Sequence, residues 1–108
     1  MGKYKKGDVV WLPFPFSDLS ANKDRPCLVI ASFKGDDMLL CQITATTKDI
    51  YSITLTDTDF VKGALNKLSY IRPNRMFTGD EKIVRSYAGF VSKAKIKEVV
   101  DKIIELIQ

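Results

Sequence analysis

Cys27-Leu28-Val29-Ile30-Ala31, then Phe33-Lys34-Gly35-Asp36-Asp37, then Met38-Leu39-Leu40-Cys41-Gln42-Ile43-Thr44 is the stretch on which the fold turns. Two short apolar runs flank a segment built of Lys, Gly and Asp, the composition of a tight turn, so the stretch predicts a hairpin. Both runs are strand-length and largely β-branched or aliphatic, which suits strands covered by other structure. Upstream, Val9-Val10-Trp11-Leu12-Pro13-Phe14 reads as a further strand. Pro13 and Pro15 close it, because neither can donate a ladder hydrogen bond. The composition then turns to Ser, Asp, Asn and Lys from Phe16 to Lys23, a loop longer than a hairpin requires. Arg25-Pro26 closes that loop, and the second strand is expected to begin at Cys27.

Downstream, Tyr51-Ser52-Ile53-Thr54-Leu55 alternates as a half-exposed strand does, and Asp57-Thr58-Asp59 has the chemistry of a turn. The polar segment from Phe60 to Leu68 reads as an irregular excursion. Ser69 to Arg72 and Arg75 to Thr78 predict two more short strands, with a turn at Gly79-Asp80-Glu81. From Ser92 the apolar period changes from two to 3.6. Ile96, Val99, Val100, Ile103, Ile104 and Ile107 then form one stripe, with Ser92 placed to cap the helix. Five or six short antiparallel strands followed by one helix predict a mainly β (α+β) fold. Its expected form is a small SH3-like barrel closed by a C-terminal amphipathic helix, one domain over residues 1–108.

Composition excludes several functions. The 108 residues carry no histidine, which removes histidine acid–base pairs, serine–histidine triads and most zinc sites. Cys27 and Cys41 lack metal-ligand spacing and sit in apolar runs, so they are expected to be buried free thiols. No cofactor motif is present and no metal is expected. The balance of 17 basic against 13 acidic residues, net +4, permits a polyanionic partner. With no apolar run of membrane-spanning length and no leading apolar core, a soluble, cytoplasmic chain without membrane contact is expected.

Three side-chain groups carry possible chemistry. Arg25 stands where a polar loop enters an apolar strand, with five donors suited to a phosphate; an ion pair with Asp24 or Asp18 is the plainer alternative. Gln42, Thr44 and Thr46 share one strand face, although threonine is common in strands for its branching alone. Tyr70-Ile71-Arg72-Pro73-Asn74-Arg75 places two arginines after an aromatic ring, able to stack a base and grip its phosphate, or to sit in a solvated turn.

Gly7-Asp8-Val9-Val10-Trp11, Arg25-Pro26 running into Cys27-Leu28-Val29-Ile30, and Gln42-Ile43-Thr44, taken together and in order, resemble the MazF/PemK family of bacterial toxins. The likeness covers nearly the whole chain. It implies a homodimeric, sequence-selective endoribonuclease (an mRNA interferase) acting on single-stranded RNA without metal and restrained by a cognate antitoxin. The family's functional arginine, before the proline that opens the second strand, corresponds to Arg25. Its functional threonine, closing the third strand, corresponds to Thr44, with Thr46 as the match in a shifted register. The candidate RNA-contacting set is Phe16, Ser17, Asp18, Lys23, Tyr70, Arg72 and Arg75.

The resemblance departs at Ile71-Arg72-Pro73-Asn74, where several relatives carry an acidic residue. Proton removal is open between Asp18, Asp24 and solvent. An acidic antitoxin is expected to lie across a basic, aromatic face that includes Trp11, Phe14 and Phe16. Two other functions fit a barrel of this kind, a CcdB-like gyrase poison and a non-catalytic RNA-binding barrel. The ending Glu105-Leu106-Ile107-Gln108 lacks the aromatic that the gyrase poisons use.

Overall fold

Val9 and Trp11 on β1 (Asp8–Pro13) pack into one apolar cluster while Val10 and Leu12, the alternate residues, pack into another. The same division runs through β2 (Asp24–Ser32), with Leu28 and Ile30 on one side and Cys27 and Val29 on the other. It continues through β3 (Asp37–Thr44), where Leu39, Cys41 and Ile43 oppose Met38 and Leu40. Each central strand is therefore buried on both faces, which is why the sequence shows continuous apolar runs there in place of alternation. The computed structural model describes residues 3–13, 24–46 and 48–108.

The remaining elements are β4 (Ile53–Leu55), a 3₁₀ turn at Asp57–Asp59, β5 (Phe60–Gly63), β6 (Ser69–Asp80), a 3₁₀ turn at Glu81–Ile83, β7 (Ser86–Val91) and α1 (Lys93–Ile107). The strands form a single curled sheet in the order β4-β6-β3-β2-β1-β7-β5. Every pairing is antiparallel. The mainly β fold with a C-terminal helix is as expected, but among the described residues the strands number seven, with β4 and β5 as the two edges.

Several boundaries differ from the sequence reading: β4 begins at Ile53 and not Tyr51, and β6 runs on through Gly79 and Asp80, where a turn was expected. β2 begins at Asp24, so Arg25 and Pro26 lie inside the strand. Pro26 is tolerated because it pairs with Trp11 of β1, while pairing with β3 starts only at Cys27. The two short strands expected around Pro73 are one strand, β6. Arg72 opposes Gln42 and Met76 opposes Cys41, which leaves Pro73, Asn74 and Arg75 as an unpaired bulge. Phe60 to Gly63, expected to be irregular, forms the edge strand β5. β7 was not anticipated. Gly63 and Gly89 face each other across β5 and β7, and a Cβ on either would meet a backbone carbonyl oxygen at about 2 Å, so both strands require glycine there.

Ser92 caps α1 as expected, its hydroxyl accepting from Lys95 N at 3.1 Å. Val99 is fully buried, and Ile96 and Ile103 pack against the cluster on the same face of the sheet as Leu28 and Ile43. The C-terminal part of the stripe does not reach that core: Ile104 is 44% exposed and Ile107 73%. Cys27 and Cys41 are buried and unpaired with each other. Burial pushes both thiols up to about 12, so neither supplies a thiolate at neutral pH.

Candidate active site

β1 and β3 finish, and β2 and β6 begin, at the same end of the sheet, and a cavity of about 240 Å³ opens there. Trp11 comes from β1, Asp24, Arg25 and Pro26 from β2, and Ile43 and Thr44 from β3. Ala45 and Thr46 continue from β3, Leu65 and Lys67 enter from the approach to β6, and Ser69 is its first residue. The sheet thus brings Arg25, Thr44 and Thr46 to one cavity from positions far apart in the chain. Two cations, Arg25 and Lys67, and one carboxylate, Asp24, give the lining its charge.

Arg25 is half-buried, opposite Leu12 in the β1–β2 ladder. Among the described residues no carboxylate lies within ion-pair distance of it. Its sequence neighbour Asp24 stands 4.0 Å from the exposed Arg85. A guanidinium fixed on a ladder-paired strand and left without a carboxylate is a ready partner for an anion.

Thr44 is 9% exposed whereas Thr46 is exposed, and their hydroxyl oxygens lie 3.3 Å apart. The Thr46 backbone N–H also donates to Thr44 Oγ1 at 3.3 Å. Either hydroxyl can donate to the other, so one of the two protons remains for a ligand oxygen. The two threonines form one unit with a buried anchor and an exposed tip, so both registers of the expected motif line the same cavity.

Lys67, Ser69 and Leu65 were not anticipated. Asp57 accepts from Leu65 N at 3.0 Å and from Asn66 N at 3.2 Å, and Asn66 takes a left-handed backbone with φ 64°. Asp57-Thr58-Asp59 is a turn, as its composition indicates. Its further effect, folding the segment after β5 back toward the cavity, depends on a contact eight and nine residues away.

The other candidates are placed differently. Phe16, Ser17, Asp18 and Lys23, with Phe14, lie outside the described residues. Arg72 does not line the cavity; Arg72 Nη2 donates to Asp49 Oδ2 at 2.8 Å. The positive charge noted at Ile71-Arg72-Pro73-Asn74 therefore serves an internal ion pair. Arg72 Nε and the cross-strand Gln42 Oε1 are both buried without a hydrogen-bond partner among the described residues. Tyr70, half-buried, pairs with Thr44 in the ladder, and Lys48 Nζ sits 5.8 Å from its ring centroid. Arg75 is exposed on the bulge. Among the described residues no group of three His, Cys, Asp or Glu side chains is arranged to hold a metal ion. Among the same residues, no helix is long and apolar enough to cross a membrane.

The Asp49 ion pair makes a pH prediction. Burial raises the carboxyl pKa, but hydrogen bonds from Arg72, the Tyr51 N–H and the Ser52 hydroxyl, with the Arg72 charge, overcome it and hold the group at about 2 instead of 3.8. A carboxyl depressed in the folded state contributes stability above its unfolded pKa and loses it as pH falls. Wild type should lose about 1–2 kcal/mol between pH 3.8 and about 2 from this group. Asp49→Asn should lack that part of the acid dependence in urea titrations across the same window. An unchanged acid profile in Asp49→Asn would refute the assignment.

The family model for PemK-like, MazF-like toxins of type II toxin–antitoxin systems matches residues 5–107. The chain belongs to this family. No curated protein is significantly similar to the toxin in sequence. Among solved structures it is similar to an endoribonuclease in complex with its cognate antitoxin from a mycobacterial species. That match has a TM-score of 0.72 and 15% identity, over 94% of this chain and 92% of the other. It is also similar to MazE–MazF from Deinococcus radiodurans, TM-score 0.70, 22% identity, over 96% and 94%. A third similar structure is the Mycobacterium tuberculosis toxin MazF-mt6, TM-score 0.68, 14% identity, over 93% and 94%. At these identities the likeness establishes the fold, a curled antiparallel sheet with its C-terminal helix.

Proposed function

We propose that this toxin is an endoribonuclease of single-stranded RNA whose reacting phosphate binds in the cavity between Arg25 and the Thr44–Thr46 pair. The observation that carries the reading is Arg25 itself, held in a ladder without a carboxylate partner among the described residues and lining the same cavity as the Thr44 and Thr46 hydroxyls. The structural relatives described as endoribonucleases support it.

The chemistry such a site can perform needs neither histidine nor metal. The substrate's 2′-oxygen attacks its own 3′-phosphorus, a P–O bond to the 5′-oxygen breaks, and the products are a 2′,3′-cyclic phosphate and a 5′-hydroxyl. The 2′-proton is lost to a base and the leaving 5′-oxygen gains one, so protons balance. Arg25 neutralises the charge that builds on the phosphorane, and the Thr44–Thr46 hydroxyls supply a further donor. A guanidinium is a poor base, so Arg25 acts as an electrostatic stabiliser. Asp24, exposed on the cavity lining, is one carboxylate able to take the 2′-proton. Lys67 adds a second cation toward the backbone of the strand.

Two partners complete the proposal. An acidic antitoxin is expected to block the cavity, as suits a basic chain whose structural relatives include a MazE–MazF complex. The exposed Ile104, Leu106 and Ile107 at the end of α1 support a homodimer. Light scattering should then give twice the mass of one chain at micromolar concentration, and a monomer mass would overturn that part.

Labelled single-stranded RNA incubated with the purified chain should be cut equally with and without a chelator. Loss of cutting in chelator would refute the metal-free mechanism. Binding without cutting would favour the silent RNA-binding barrel, and inhibition of DNA supercoiling without RNA cleavage the gyrase poison.

A further inference from the structure

The sheet face opposite α1 carries a second feature beside the cavity. Tyr87 on β7 pairs with Val10 of β1, and Arg25 on β2 pairs with Leu12 of the same strand. Val10 and Leu12 both belong to the cluster on the helix-free face. Tyr87 and Arg25 therefore share that face, two strands apart across the sheet and two residues apart along it. At about 4.8 Å per strand and about 3.4 Å per residue, their Cα atoms are separated by roughly 12 Å.

Tyr87 is 44% exposed, although it lies opposite a fully buried valine. Its ring stacks on Tyr4 with centroids 6.4 Å apart and planes 21° from parallel. Tyr4 in turn packs against the same buried cluster, which anchors the pair. Lys3 Nζ lies 5.9 Å from the Tyr4 ring centroid. Arg85, two residues before Tyr87, contacts two residues of the cavity lining. Its backbone N–H donates to Trp11 O at 2.8 Å, and its guanidinium is 4.0 Å from Asp24, with side chains 65% and 38% exposed. Trp11 and Asp24 both line the cavity. A pair so long and so exposed holds the arginine only weakly, which leaves its charge available to a phosphate.

Two near-parallel rings, one of them exposed on a ladder-paired strand, flanked by the cations Lys3 and Arg85, have the chemistry of a single-strand stacking platform. We propose that Tyr87 and Tyr4, with Arg85, form a subsite that stacks a base of single-stranded RNA flanking the scissile phosphate. This rests on the ribonuclease reading above and extends it. The subsite holds substrate a few nucleotides from the reacting bond and takes no part in the chemistry. It would favour longer RNAs with little preference among bases, since every base presents a π face.

The test uses the full chain and two 2′-O-methylated single-stranded RNAs that resist cleavage, one of about twelve nucleotides and one a trinucleotide, followed by fluorescence anisotropy. Tyr87→Ala should weaken binding of the longer RNA about tenfold and leave the trinucleotide unaffected. Tyr87→Phe should restore the longer RNA, because it keeps the ring. Arg85→Gln should reduce the salt dependence of the longer RNA by about one counterion. With cleavable RNA, Tyr87→Ala should raise KM and leave kcat unchanged. Equal affinity of Tyr87→Ala and wild type for the longer RNA, equal weakening of both RNAs, or an altered solution mass would each overturn the subsite. Wild-type cleavage with an unaffected Tyr87→Ala removes the subsite alone; a wild type that neither binds nor cuts RNA removes the ribonuclease reading with it.

Discussion

Arg25→Ala should slow RNA cleavage about 10²–10³-fold, the ~3–4 kcal/mol of a charge-assisted contact made as charge develops on the phosphorus. The thermal midpoint should move by no more than a few degrees. Arg25 is half-buried and, among the described residues, has no carboxylate partner, so its removal strands no buried opposite charge. Arg25→Lys should recover only part of the rate, since an ammonium keeps the charge and loses the planar fork.

Thr44→Val should slow cleavage less than Arg25→Ala, because it removes one neutral donor. It should also cost about 1 kcal/mol of stability, as the Thr46 N–H loses its acceptor. Thr46→Val leaves that acceptor in place and should be nearly neutral for stability. Since the two hydroxyls are within 3.3 Å, their effects on rate should be non-additive in a double variant. A Thr46→Val variant that is crippled beside a normal Thr44→Val would assign the donor to the exposed tip. Normal cleavage by Arg25→Ala would end the catalytic reading of this cavity.

The parts of the fold that were legible are those whose burial is written locally. β1, β2 and β3 are apolar on both faces, and α1 carries a cap and a stripe within its own sequence. The strands that escaped depend on partners remote in the chain. Phe60–Gly63 is an exposed edge strand, and Ser86–Val91 contains Gly89, which looks like a break until Gly63 is brought against it. Pro73 divides β6 in the sequence, whereas in the sheet it is absorbed in a bulge that leaves the ladder intact on either side.

The site divides in the same way. Arg25, Thr44 and Thr46 sit at strand ends, where residue type and position are both visible. Ser69 reaches the cavity through its ladder pair with Leu55, and Lys67 follows the two residues that Asp57 ties down. Arg72 has the residue type for phosphate binding and a carboxylate 23 positions away that no local pattern reveals. An arginine's type marks it as an anion partner, and the fold decides whether the anion is a ligand or an aspartate.

Replacing the 2′-hydroxyl by hydrogen at the scissile nucleotide should abolish cleavage, the largest effect expected of any single change to enzyme or substrate. The nucleophile in the proposed mechanism belongs to the RNA, so its loss removes the reaction and cannot be offset by the protein. Binding should survive largely intact. The phosphate remains for Arg25 and Lys67, and the flanking base remains for Tyr87. The 2′-deoxy substrate should therefore act as a competitive inhibitor with an inhibition constant close to the dissociation constant of the uncut RNA. Product analysis supplies the complementary reading, since an intramolecular attack leaves a cyclic phosphate and an attack by water leaves a linear one. The chain's lack of histidine removes the commonest base for a water nucleophile. Cutting of the 2′-deoxy substrate at a rate comparable to RNA would mean an activated water, and the roles of Asp24, Arg25 and the threonine pair would have to be assigned afresh.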